Sequence, residues 1–130
     1  MVPEARVFTE AERIAAAQSY VDALVSHDGD SVPFAPGCTR IEQGMKNGFS
    51  GSHLRRSLSR GPQYRVIGAT TTPEYTVTGD RVTAKYDVLT KVSIAGRRMA
   101  AHVDETFVIP ASDGQLHHIR VRFHPFLHKL

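Results

Sequence analysis

Little in this chain points to a membrane, a disulfide framework or a repeat array. It has a single cysteine, Cys38. No internal disulfide can form, and a reducing cytoplasm is the expected compartment. No apolar run approaches the ~20 residues that a membrane span needs, so no membrane contact is expected. The opening segment Met1-Val2-Pro3-Glu4-Ala5-Arg6 carries no apolar stretch, so no secretory leader is expected there. There is no low-complexity tract, and no P-loop, GxGxxG, GxSxG or paired-cysteine pattern. Cys38 itself reads as a small buried apolar residue rather than a reactive thiol.

What is present is ordinary in amount. The chain has 130 residues and a formal charge of +3. That is the size of one domain, taken as residues 1–130. Such a domain buries roughly two thirds of the surface its unfolded chain exposes, enough for one core without staples. Arg55, Arg56, Arg60 and Arg65 cluster, and Arg97 and Arg98 adjoin. Few aromatics interleave with them, so they read as a solvated face and nucleic acid is not an expected partner. Seven histidines are scattered along the chain, and only His124 and His128 have an HxxxH spacing, with Pro125 between them. No metal site and no cofactor are expected.

Periodicity divides the chain in two. Ile14, Ala17, Val21, Leu24 and Val25 recur at helical spacing, with Tyr20 at the edge of their stripe. Thr9 and Glu12 form a capping box, so a helix is predicted over 10–26, ending at His27-Asp28-Gly29-Asp30. Two prolines in Val32–Gly37 predict a loop or a short helical turn. A short strand is predicted over 38–43, a glycine-marked loop after it, and a short helix over 51–59 capped by Ser52, with Leu54 and Leu58 on its apolar edge. From Gln63 the period becomes two. Strands are predicted over 64–72, within 74–85, and over 81–94, 97–109 and 115–124, with turns at Gly79-Asp80, Ala95-Gly96 and Pro110–Gly114. Val82, Ala84, Tyr86 and Val88 share one face with Val103, Glu105, Phe107 and Ile109, and with Ile119, Val121 and Phe123 of the last strand. A helix followed by a meander with one apolar face implies α+β: helices packed on one face of a curved, mostly antiparallel sheet.

The order of elements and several short segments resemble the nuclear transport factor 2-like superfamily, which includes ketosteroid isomerases and SnoaL-like polyketide cyclases. The segments are Gln18–Leu24, His27–Asp30, Ile41–Gly44, Asp104–Phe107, and Asp113–Leu116 with His118–Arg120. The loop from Glu42-Gln43-Gly44 to Gly51-Ser52-His53-Leu54 is similar to an uncharacterised branch of that superfamily. The resemblance implies a cone-shaped α+β barrel with a cavity between helices and sheet, a natural place for a small apolar, carbonyl-containing molecule. It also implies a homodimer formed through the outer sheet face, which carries Thr83, Lys85, Asp87, Leu89 and Lys91. Isomerase, cyclase and dehydratase activities occur on this fold, as do non-catalytic interaction modules, so fold alone does not choose among them.

The candidate site residues follow. Tyr20 is the foremost: a tyrosine hydroxyl in an apolar cavity donates to a carbonyl or enolate oxygen. Asp104 and Glu105 are the candidate acids, and adjacent strand residues face opposite ways. Alternation with Phe107 and Ile109 places Glu105 inside, whereas matching aspartate to aspartate within the resemblance selects Asp104. Tyr86 and Phe107 are expected along the pocket wall. The resemblance places the proton-abstracting base of the isomerases at Gln43, which cannot accept a proton, while the neighbouring Glu42 is expected to face away unless the strand bulges. The expectation is therefore a pocket that binds a carbonyl compound with Tyr20 and Glu105 but lacks a base.

Overall fold

A computed structural model describes residues 6–129. The first five residues, part of the segment read above for a leader, lie outside them. Helix α1 spans Glu10–Ser26. Its capping box is complete: Thr9 Oγ1 accepts from the Glu12 amide at 3.1 Å, and Glu12 Oε1 accepts from the Thr9 amide at 3.1 Å. His27 closes the helix in the left-handed region, with φ 60°. The helix buries Ala17, Tyr20, Val21 and Leu24. It also buries Arg13, whose Nε donates to Ile109 O at 2.7 Å and whose Nη2 donates to Gly79 O, tying the helix to two sheet turns.

A short 3₁₀ turn, Gly29–Ser31, leads into strand β1, Phe34–Glu42. Here the loop predicted for Val32–Gly37 gives way to extended chain. Pro36 and Gly37 are exposed, and the parallel pairing of β1 with the last strand is interrupted between Phe34 and Thr39. The proline thus sits where the ladder asks for no donor. Strand β2, Met45–Gly48, returns antiparallel to β1 within the stretch read as a loop. Helix α2, Gly51–Arg60, is capped by Ser50, not Ser52: Ser50 Oγ accepts from the His53 amide at 3.0 Å.

The strand predicted from Tyr64 is replaced at its start by a helical turn, α3, Pro62–Arg65. Pro62 supplies the fixed φ that opens a helix. Strands β3 (Ile67–Thr70), β4 (Glu74–Thr78), β5 (Arg81–Ile94), β6 (Arg97–Val108) and β7 (Leu116–Lys129) complete the sheet. Ala95 and Gly96 make the β5–β6 hairpin with φ 51° and 76°, the left-handed pair that a tight hairpin requires. β7 runs five residues beyond the predicted end at His124, because it stays paired with β6 as far as Arg97–Lys129.

The seven strands form one curved, unclosed sheet in the order β2-β1-β7-β6-β5-β3, with β4 also on β5. All pairings are antiparallel except β1 with β7. The helices pack on the concave face, and the core between the layers includes Phe34, Leu54, Leu58, Val82, Phe107 and Ile119. Burial alternates along β5 from Val82 to Val88 and along β6 from Val103 to Phe107, as the period-two pattern predicts.

Candidate active site

The concave face and the helices enclose a cavity of about 210 Å³. Most of its wall is apolar, including Leu24, Ile67, Val88, Ala101, Val103 and Val121. Polar side chains join that wall: Tyr20 from α1, Glu42 from the end of β1, Gln63 and Tyr64 from α3, Tyr86 and Thr90 from β5 and Glu105 from β6.

Glu105 is buried in the middle of the central hairpin, where it pairs with Ala84 across the sheet. Tyr86 Oη donates to its Oε1 at 2.6 Å. Burial pushes the Glu105 carboxyl up to about 8; the Tyr86 bond and Arg40 work against that rise, and Glu42 adds to it. Glu105 therefore holds a proton at neutral pH. Since Tyr86 occupies Oε1, Oε2 is left to carry that proton.

Glu42 has the opposite setting. It shares the inner face of β1 with Cys38 and Arg40, at spacing two. Arg40 is fully buried, and its Nε lies 3.4 Å from Glu42 Oε1. The single Nε proton goes to Asn47 Oδ1 at 2.9 Å, Nη2 donates to Ser57 Oγ at 3.3 Å and Nη1 to Tyr20 Oη at 3.3 Å, while the guanidinium lies over the Tyr64 ring. Gly48 makes room for this: a Cβ there would fall 2.7 Å from Arg40 Cβ and 2.5 Å from Leu54 Cδ2. Burial opposes the Arg40 charge, but Tyr20, Tyr64 and Glu42 more than offset it and hold the guanidinium protonated. Tyr64 Oη also donates to Glu42 Oε1, which leaves Oε2 free.

Tyr20 accepts from Arg40 through its oxygen and keeps its own proton for another acceptor. Burial, the largest influence, raises the pKa of its hydroxyl above the ordinary tyrosine value, so it serves as a donor and not as a phenolate. Its ring stands edge-on to Phe107 at 5.4 Å and to Phe34 at 6.2 Å.

Of the residues singled out from sequence, Tyr20, Tyr86 and Glu105 meet at this cavity. Asp104 does not: it is exposed on the outer face, opposite Lys85 and Arg122. Phe107 lies beneath Tyr20 as a buttress and not along the wall. Gln43 is also outside. It follows the end of β1 with φ 51°, and its amide clamps the Phe123 backbone, Nε2 donating to O at 3.0 Å and Oε1 accepting from N at 2.8 Å. The expectation that Gln43 lines the pocket and Glu42 faces away is corrected, because Glu42 takes the inner position. Arg40, Glu42 and Tyr64 were missed as a set. The alternation Cys38-Thr39-Arg40-Ile41-Glu42 carries the signal for the first two, whereas Tyr64 is aimed by a helical turn that period-two reading hid. Among the described residues no group of three His, Cys, Asp or Glu side chains could hold a metal ion.

Helices on the concave side of this bent sheet define the nuclear transport factor 2-like fold, and solved structures agree. An LEH-like epoxide hydrolase of Mycobacterium tuberculosis superposes with a TM-score of 0.70 at 20% identity, covering 94% of this chain and 86% of that one. An NTF2-like protein of Burkholderia xenovorans gives 0.67 at 13% identity, covering 90% and 92%. A Shewanella denitrificans structure named for its likeness to SnoaL-type polyketide cyclases gives 0.65 at 12% identity, covering 86% and 90%. At these identities the likeness is one of fold. No curated protein matches the chain. The chain belongs to the family described as a domain of unknown function, DUF8021, which it matches over residues 7–123.

Proposed function

We propose that the chain binds a small apolar molecule bearing a carbonyl or similar oxygen function and catalyses proton transfer on it, as an isomerase or dehydratase does. The observation that carries this reading is the pair of carboxyl groups with opposed environments on one apolar cavity. Glu105 is dry and protonated, while Glu42 faces a fixed cation. A protonated acid and a second carboxyl with one oxygen unengaged, on the wall of one cavity, supply a proton donor and a proton acceptor.

The ligand oxygen is received by the Tyr20 hydroxyl and the Glu105 proton, two donors on the wall of a mostly apolar cavity, where hydrogen bonds are strong. Glu42 Oε2 accepts a proton from the carbon beside that oxygen. Arg40 and Tyr64 hold Glu42 in place through Oε1. The charge gained by the ligand is thus met at the oxygen, and the proton can return to a different carbon or leave with a hydroxyl group.

The test is α-proton exchange into D₂O, followed by NMR, with a panel of cyclic and straight-chain ketones. The wild type should exchange at least one ketone above the buffer rate. Glu42→Gln should lower that rate by about 10²-fold or more. Exchange equal to buffer for the whole panel, or an undiminished rate in Glu42→Gln, would sink the proposal. The outer sheet face is proposed to pair two copies of the chain: Asp87 there is tied to His102 at 2.7 Å, and Phe126 stacks on His102 at 4.2 Å. A monomer by light scattering at micromolar concentration contradicts that assembly.

A further inference from the structure

The cavity is smaller than the ~300–1,000 Å³ usual for ligand sites. All its hydroxyl and carboxyl groups other than Thr90 come from Tyr20, Glu42, Tyr64, Tyr86 and Glu105, whereas Ala101, Phe123 and Val66 carry its apolar wall toward the hairpin end of the sheet. Past Ala101 the same sheet face continues without a helix over it.

That continuation is apolar. Nine large apolar side chains are exposed among the described residues; Met99 and Leu127 lie on this continuation, and Ile94 lies beside it as the register partner of Arg97. Met99 and Leu127 are register partners, 40% and 50% exposed, and by alternation share the face of Ala101 and Val103. Val66, which lines the cavity, lies on the β5 side, its carbonyl accepting from Lys91 N at 2.7 Å. The Thr90 hydroxyl is taken up by the Met99 carbonyl at 2.8 Å, so it adds no free donor. Two residues further along the face the composition changes to cationic: Arg97 pairs with Lys129, and both are exposed. From Ala101 to Arg97 the strand rises about 13 Å.

We infer that the site takes an elongated molecule, with an oxygen function in the cavity, an apolar chain laid over Met99 and Leu127, and an anionic end against Arg97 and Lys129. This rests on the ligand-binding reading above and names its substrate class: a straight-chain oxo acid or a comparable chain ending in a negative group. A molecule confined to the cavity would leave the Met99–Leu127 surface in water. A longer one removes that surface from water continuously with the cavity wall, and the gain grows with each methylene.

The experiment is an NMR titration of the full chain with methyl ketones from pentanone to undecanone, and with oxoundecanoate. Affinity should rise about twofold to fourfold per methylene beyond pentanone. Met99→Gln with Leu127→Gln should flatten that rise while leaving pentanone binding unchanged. At low salt oxoundecanoate should bind roughly threefold to fivefold tighter than undecanone, and Arg97→Gln with Lys129→Gln or high salt should remove the difference. If pentanone binds and longer ketones bind no better, the inference is overturned and the cavity reading stands. If no ketone binds, the cavity reading itself fails, and the inference with it. A drop in particle mass on Met99→Gln with Leu127→Gln, measured by sedimentation, assigns the surface to a second copy and also overturns the inference.

Discussion

Glu105 and Glu42 line one cavity from two different kinds of surroundings. Glu105 sits on a central strand, paired on both sides, with Tyr86 as its one hydrogen-bond partner. Glu42 sits at the last residue of β1, held by Arg40 and by a tyrosine from a helical turn. Burial acts on the first as on any isolated carboxyl, favouring the neutral acid. At the second a buried cation has been built in, and the neighbouring side chains are spent on holding that cation. The same residue type thus becomes a donor or an acceptor according to what the fold places beside it.

The widest separation between the two should appear in stability against pH. The Glu105 carboxyl in the folded chain loses its proton near 8, while in the unfolded chain it does so near 4.5. Between those values the folded state binds more protons, so stability is fully present at low pH and is lost as pH rises through about 8. The loss is on the order of 4–5 kcal/mol. Urea unfolding from pH 5 to pH 9 should show it, and Glu105→Gln should flatten the profile. A wild-type profile already flat over that range breaks the comparison. Tyr86→Phe should enlarge the fall and carry it to higher pH, because the hydrogen bond it removes favours the ionised acid.

Next in size is Arg40→Met. It leaves Asn47 Oδ1, Tyr20 Oη and Glu42 without their shared partner, and should cost about 3–5 kcal/mol by denaturant unfolding. A cost below ~1 kcal/mol would mean that the Glu42 end is not organised by that cation. Gln43→Ala, which frees the Phe123 backbone from its amide clamp, should cost about 1–2 kcal/mol. It should also speed amide exchange at Phe123. The smallest effect belongs to Tyr64→Phe, which removes one bond to Glu42: roughly 1 kcal/mol in stability, with a larger loss in proton-transfer rate if Glu42 is the base.

The two ends of the cavity were not equally readable from sequence. The Glu105 end follows from alternation, since Val82–Val88 and Val103–Ile109 have one buried face each and a slip of one residue would expose it. The capping box of α1 was likewise local and complete. The Glu42 end depends on three features that are not local. Pro36 hides a strand whose ladder is interrupted there. Pro62 turns an apparent strand start into a helical turn that swings Tyr64 inward. Gln43 leaves the strand with positive φ and serves β7 instead of the cavity. Matching by position to a related fold selected Gln43, whereas the spacing of Cys38, Arg40 and Glu42 selects Glu42.

One cavity carboxyl, that of Glu105, holds its proton at neutral pH. A ¹³C NMR titration of glutamate-labelled protein, with Glu105 assigned by its absence in Glu105→Gln, measures this directly. A Glu105 midpoint at about 8 is expected. A midpoint in the ordinary carboxylate range near 4 to 5 would contradict it.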